Sequence, residues 1–132
     1  MSNTVMGISV TLSRTADSST SAVGIPIAAD GPLSGDLGLS RKDLAALGFE
    51  AKSGQTLVLP PTVGSKQVRI LVGIGDARAV TPSTLRSAAA SLARAAAGHA
   101  SLSTTLVSAG RGDKKANAQA VVEGLLLATH RY

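Results

Sequence analysis

The stretch "QVRILVGIG", Gln67 to Gly75, constrains the fold more than any other part of this sequence. It is almost continuously apolar and rich in β-branched residues, so it has no polar side to turn toward water. A strand of that kind suits a sheet covered on both faces, and the rest of the chain has to supply the cover. Thr81-Pro82 begins one covering element, because threonine can accept from free helix N–H groups and proline at the first helical position loses no bond it would have made. From there Leu85, Ala89, Leu92 and Ala96 fall on one stripe, the many alanines permit close approach to a sheet, and Gly98 supplies a stop. The pattern predicts a helix to about Ala97.

The remaining segments alternate in the same way. "VMGISVTLS" (Val5 to Ser13), "AVGIPIAA" (Ala22 to Ala29), "QTLVLP" (Gln55 to Pro60) and "SLSTTLVSA" (Ser101 to Ala109) read as strands. "DGPLSGDLG" (Asp30 to Gly38) is too rich in glycine and proline to be regular. Ser40 with Asp43 three residues on is a weaker form of the capping box, opening a short helix with Leu44 and Leu47 on one face and Gly48 at its end. After the polar loop "GRGDKKAN", a last helix is expected from Ala116 to about His130. Strands interleaved with helices predict an α/β fold, a mixed and partly parallel sheet flanked by helices on both faces. The chain has 132 residues, 44% of them hydrophobic, which is close to the usual size of one domain.

Composition removes several chemistries. There is no cysteine, so disulfides, thiolate nucleophiles and sulfur-based metal sites are absent together, which fits a reducing compartment. No apolar run approaches the ~18 residues of a membrane span, and "MSNTVMGISVTL" has no charged region followed by an apolar one and a cleavage site, so a cytoplasmic location is expected. Thirteen Lys and Arg against eight Asp and Glu give a net charge of +5. The basic residues are scattered from Arg14 to Arg131, the densest groups being Arg41-Lys42 and Arg111 to Lys115. Phe49 and Tyr132 are the only aromatics, so little is available for bases to stack on, and nucleic-acid binding rests on net charge alone.

No constellation marks an active site. Gly73-Ile74-Gly75 begins like a dinucleotide fingerprint, but Arg78 stands where the third glycine belongs, and a tight turn at a strand end explains the pair. Lys114 and Lys115 follow a glycine-bearing loop, yet no Gly-Lys-Ser/Thr exists in the chain. His99 and His130 have no acid or second histidine at ligand spacing. The eight carboxylates stand singly, without an i, i+3 or i, i+4 pair on any helix. Arg111-Gly112-Asp113 reads as a coincidence in a solvated loop. No residue is therefore assigned a catalytic, cofactor-binding or metal-binding role.

The closing segment "AQAVVEGLLLATHRY", Ala118 to Tyr132, raises a different question. At about 100° per residue, Gln119, Glu123 and His130 gather on one narrow strip, while Val121, Val122, Leu125, Leu126 and Ala128 cover most of the rest. One sheet does not hide that much surface. A second partner is expected against this helix, either more of the same polypeptide or another subunit.

"EAKSGQTLVLP", then "QVRILVGIGDARAVTPSTLRSAAASLARAA", then "AQAVVEGLLLATHRY" resemble, in order and spacing, the N-terminal domain of the cytosolic leucyl aminopeptidases over about Phe49 to Tyr132. Before Phe49 the resemblance is limited to "AVGIPIAAD" and the loop behind it. It implies a macro-domain-like α/β unit, with residues 1–132 as a single non-catalytic N-terminal domain joined to a larger catalytic C-terminal domain outside this chain. In that second domain, two divalent ions, manganese or zinc, held by aspartates, a glutamate and a lysine, activate a water that attacks the first peptide bond of a substrate. The family's metal motifs, of the Gly-Lys-Gly…Asp-Ser-Gly-Gly and Asn-Thr-Asp-Ala-Glu-Gly-Arg kinds, have no match in residues 1 to 132, so no metal or catalytic residue is carried over and the piece alone is expected to be inactive. The resemblance further implies the catalytic domain and the other subunits of a hexamer as partners, and peptides as substrates of the whole protein. Two other readings stay open: a free-standing macro-like module binding a nucleotide or ADP-ribose derivative at the glycine-rich strand ends, and sequence-tolerant DNA binding through the scattered basic residues; the resemblance adds that some bacterial relatives also use the enzyme as a DNA-binding regulator.

Overall fold

The structure, a computed structural model, describes residues 2–5, 8–12, 20–31, 33 and 37–128. Six strands form one sheet: β1 (Ser2–Val5), β2 (Ile8–Leu12), β3 (Ala22–Ala28), β4 (Thr56–Leu59), β5 (Val68–Gly75) and β6 (Ser101–Thr104), in the spatial order β1-β2-β6-β3-β5-β4. The four inner strands run parallel, and β1 and β4 pair antiparallel at the two edges. Helix α1 (Arg41–Ala46) covers one face, and α2 (Pro82–Ala95) and α3 (Lys114–Leu127) cover the other. The mixed α/β architecture with helices on both faces is the one the sequence implies.

Strand β5 carries the argument from sequence to fold. Side chains alternate across a strand, so Ile70, Val72 and Ile74 join the core under α2 and α3, with Leu85, Leu92, Val121 and Leu125. Leu71 points the other way, into a smaller core with Ile27, Leu44, Phe49 and Leu59. Ile70, Leu71 and Val72 are fully buried, as a strand covered on both faces requires. On neighbouring β3 the bare position at Gly24 admits Leu92 of α2, whose side chain occupies the space a Cβ would take.

The caps fix where the helices begin. In α1 the Ser40 hydroxyl accepts from the Asp43 N–H at 3.1 Å, and the Asp43 carboxylate accepts from the Ser40 N–H at 2.9 Å, closing the capping box. In α2 the Thr81 hydroxyl accepts from the Thr84 N–H at 3.3 Å, with Pro82 just inside the start. Helix α3 starts at Lys114, earlier than the expected Ala116, because the Asp113 carboxylate accepts from the Lys115 N–H at 2.9 Å.

Two strand boundaries differ from the sequence reading. The expected strand from Val5 to Ser13 is two strands, β1 ending at Val5 and β2 starting at Ile8; residues 6–7 and Ser13 lie outside the described residues. "SNTV" has no apolar alternation to announce an edge strand. The strand expected to reach Ala109 stops at Thr104, and Leu106–Ala109 forms a 3-10 turn. The Thr104 hydroxyl donates to the Gly24 carbonyl at 3.0 Å and accepts from the Leu106 N–H at 3.1 Å, which bends the chain out of the sheet.

Candidate interaction face on the last helix

Helix α3 packs on α2 through a point where neither has a side chain to interpose. A Cβ at Gly124 would collide with the Arg86 carbonyl oxygen and come within 2.8 Å of the Ala89 Cβ. Around that contact Asn117, Ala120, Val121, Leu125 and Ala128 are buried. The Asn117 amide donates to the Arg111 carbonyl at 3.2 Å, so its polar end is satisfied inside the packing.

The other side of α3 changes character along its length. Lys114, Lys115 and Gln119 are exposed and polar at its beginning. At its end Leu126 is 44% and Leu127 53% exposed. Between them and α2 lies a cleft of about 350 Å³ lined by Arg86, Glu123, Leu126 and Leu127. Arg86 donates to Glu123 at 3.1 Å across the helix pair. Both side chains are more than a third exposed, so this pair contributes less than about 1 kcal/mol, and its chief effect is to neutralise the rim of the cleft.

The expectation of an apolar helix with cover on two sides is met on the inner side by the domain's own α2 and sheet. Val121, Leu125 and Ala128 lie there, and Leu126 faces outward. Of the polar strip, Gln119 is exposed and Glu123 half-buried, while His130 and Tyr132 lie outside the described residues. Sequence reasoning missed Arg86 and Leu127. The Arg86–Glu123 pair spans two helices 37 residues apart in the chain, and no local spacing signals it.

The glycine-rich strand end is filled by the chain itself. A Cβ at Gly73 would run into the backbone of Ala51 and Lys52. The turn holding those residues is bonded to β5: Gly54 N–H to the Gly73 carbonyl at 3.0 Å, Gly73 N–H to the Gln55 carbonyl at 2.7 Å, and Gly75 N–H to the Ala51 carbonyl at 3.0 Å. The Gln55 side chain accepts from the N–H groups of Glu50 and Lys52 and donates to the Gly48 carbonyl, shaping the turn from within. Gly75 has a positive φ of 70°, a backbone conformation that L side chains rarely adopt. Arg78 is exposed on a 3-10 turn capped by Asp76, and Asp30 accepts from the Ala77 N–H at 3.0 Å.

Several of the charged residues named in the sequence are engaged with backbone. Arg41 donates to the carbonyls of Ala28, Asp30 and Gly31, tying α1 to the loop after β3. Arg111 reaches the Arg78 carbonyl, and Asp113 caps α3. Asp43 holds its proton less tightly than an ordinary carboxyl, because the Ser40 backbone N–H, and then its hydroxyl, stabilise the ionised form. His99 is half-buried just beyond α2. Among the described residues, no group of three or more His, Asp or Glu could hold a metal ion. A two-metal centre of the kind the resemblance implies does not fit these residues.

Residues 33–132 match the family described as cytosol aminopeptidase family, N-terminal domain. The chain belongs to this family. A protein named probable cytosol aminopeptidase from Microcystis aeruginosa is 40% identical over 83 residues, covering 63% of this chain and 17% of that protein. Another of the same name, from a Synechococcus species, is 47% identical over 51 residues, covering 38% of this chain and 10% of its own length. Among solved structures, the bottromycin maturation enzyme BotP superposes with a TM-score of 0.70 at 26% identity, over 86% of this chain and 24% of that one. The same enzyme in complex with Mn gives a TM-score of 0.69. The match thus spans less than a quarter of each relative. The family match begins at residue 33, ahead of the Phe49 boundary where the sequence resemblance becomes clear. Among the described residues, no helix is long and apolar enough to cross a membrane.

Proposed function

We propose that this chain is the non-catalytic N-terminal domain of a cytoplasmic, metal-dependent exopeptidase that releases N-terminal residues from peptides, and that it serves oligomer assembly and access to the active sites. The observation that carries this reading is the family match over residues 33–132, combined with relatives of which the matched segment is only 17% or 10%. The two divalent ions, manganese or zinc, belong in this reading to the larger portion of the protein. Four of the carboxylates support that division of labour: Asp30, Asp43, Asp76 and Asp113 accept backbone N–H bonds that hold loops and helix starts.

The test is a peptidase assay with an aminoacyl anilide and added manganese or zinc. The purified 132-residue chain is expected to give no turnover, and the longer protein containing it is expected to be active. Metal-dependent turnover by the short chain contradicts the reading.

A further inference from the structure

Apolar exposure on α3 is concentrated at its end. Lys114, Lys115 and Gln119 make the outward surface of its earlier turns polar, whereas Leu126 and Leu127 stand exposed beside the cleft, with half-buried Val122 one turn before Leu126. A single exposed leucine needs no explanation. Consecutive leucines at the lip of an indentation form a contiguous apolar seat.

We infer that this seat receives apolar side chains of the polypeptide that follows α3 in the longer protein, so that the catalytic portion docks on the α2–α3 face; the inference rests on the functional reading above. Three observations select that occupant over a second copy of the domain. The relatives compared leave about three quarters or more of their length outside the match, and the family description makes the matched part the N-terminal one. The seat lies at the C-terminal end of α3, the end from which such a continuation departs. A tethered segment acts at an effective concentration of the order of millimolar, whereas a second copy from free solution has no such advantage and needs about 800 Å² of interface per partner. Arg86 and Glu123 already neutralise one another, so the occupant is apolar and brings no charge of its own.

The experiment places Leu126→Gln with Leu127→Gln, a change that adds no charge to the last turn of α3, in the longer protein and follows limited proteolysis at the junction after α3. Cleavage is expected to accelerate at least about tenfold, the factor that accompanies 1.4 kcal/mol of lost docking. The same double substitution in the 132-residue chain is expected to shift its unfolding midpoint only slightly, since both side chains are about half exposed and the replacement adds no charge at the helix end. Unchanged cleavage in the longer protein overturns the inference. So does a 132-residue chain that dimerises in solution and loses the dimer on substitution. An accelerated cleavage in a longer protein without peptidase activity supports the docking and removes the functional reading instead.

Discussion

Helices α2 and α3 have the same length, 14 residues, and lie on the same face of the same sheet, yet their sequences solve the burial problem differently. In α2 the buried positions Leu85, Ala88, Ala89, Leu92 and Ala93 form one stripe with buried Ala90 beside it, while Arg86, Ser87, Ser91 and Arg94 keep more contact with water. That helix is covered once it meets the sheet and the inner side of α3. In α3 the inner residues Val121 and Leu125 are as well buried, but Leu126 and Leu127 repeat the apolar chemistry on the outside. The difference teaches that helix burial has to be read all the way round. An amphipathic helix reports its own sheet, and one apolar on two sides reports a further surface.

The comparison can be broken most easily at the inner positions. Leu85→Ala removes a fully buried side chain from the α2 stripe and is expected to lower stability by about 3 kcal/mol in urea denaturation. Leu127→Ala on the outside of α3 should stay within about 0.5 kcal/mol of wild type. Equal effects would mean that the inner and outer surfaces have been confused. A smaller loss, about 1–3 kcal/mol, is expected for Gly124→Ala, whose new methyl meets the Arg86 carbonyl. The sign is informative, because alanine is about 1 kcal/mol better than glycine inside a helix. A stabilised variant would show that α2 and α3 are not in close contact at this point.

The smallest effect separates the caps of α1 and α2. The Asp43 carboxyl of α1 titrates, whereas the Thr84 hydroxyl that occupies the same place in α2 does not. With the folded-state pKa of Asp43 held below its usual 3.8, its stabilising contribution is fully present above that value and is lost as pH falls through the folded-state pKa. Thermal unfolding from neutral pH down to about pH 3 should therefore contain a small acid-dependent component that Asp43→Asn removes. An identical pH profile in the variant would show that the capping box contributes nothing measurable.

Much of this fold could be read locally. The unbroken apolar run of β5 implied cover on both faces, and Thr81-Pro82 with Gly98 bracketed α2, because strand burial and helix capping both act over a few residues. What escaped local reading depended on distant partners. β6 stops at Thr104 through a hydroxyl bond to Gly24, 80 residues away, and Gly73 is bare because the turn at Ala51 and Lys52 lies against it. The interaction face was half legible. The excess apolar surface of the last helix was visible in the sequence, but the cleft and its Arg86–Glu123 rim exist only once α2 and α3 have packed.

Hydrogen–deuterium exchange, read over α2 and α3 in the same experiment, tests most directly whether the outer side of α3 is a docking face. On passing from the 132-residue chain to the longer protein, amides in the last turn of α3 are expected to slow by at least about tenfold, while those of α2 away from the Arg86 cleft stay as they were. Equal exchange at Leu126 and Leu127 in both proteins would contradict it.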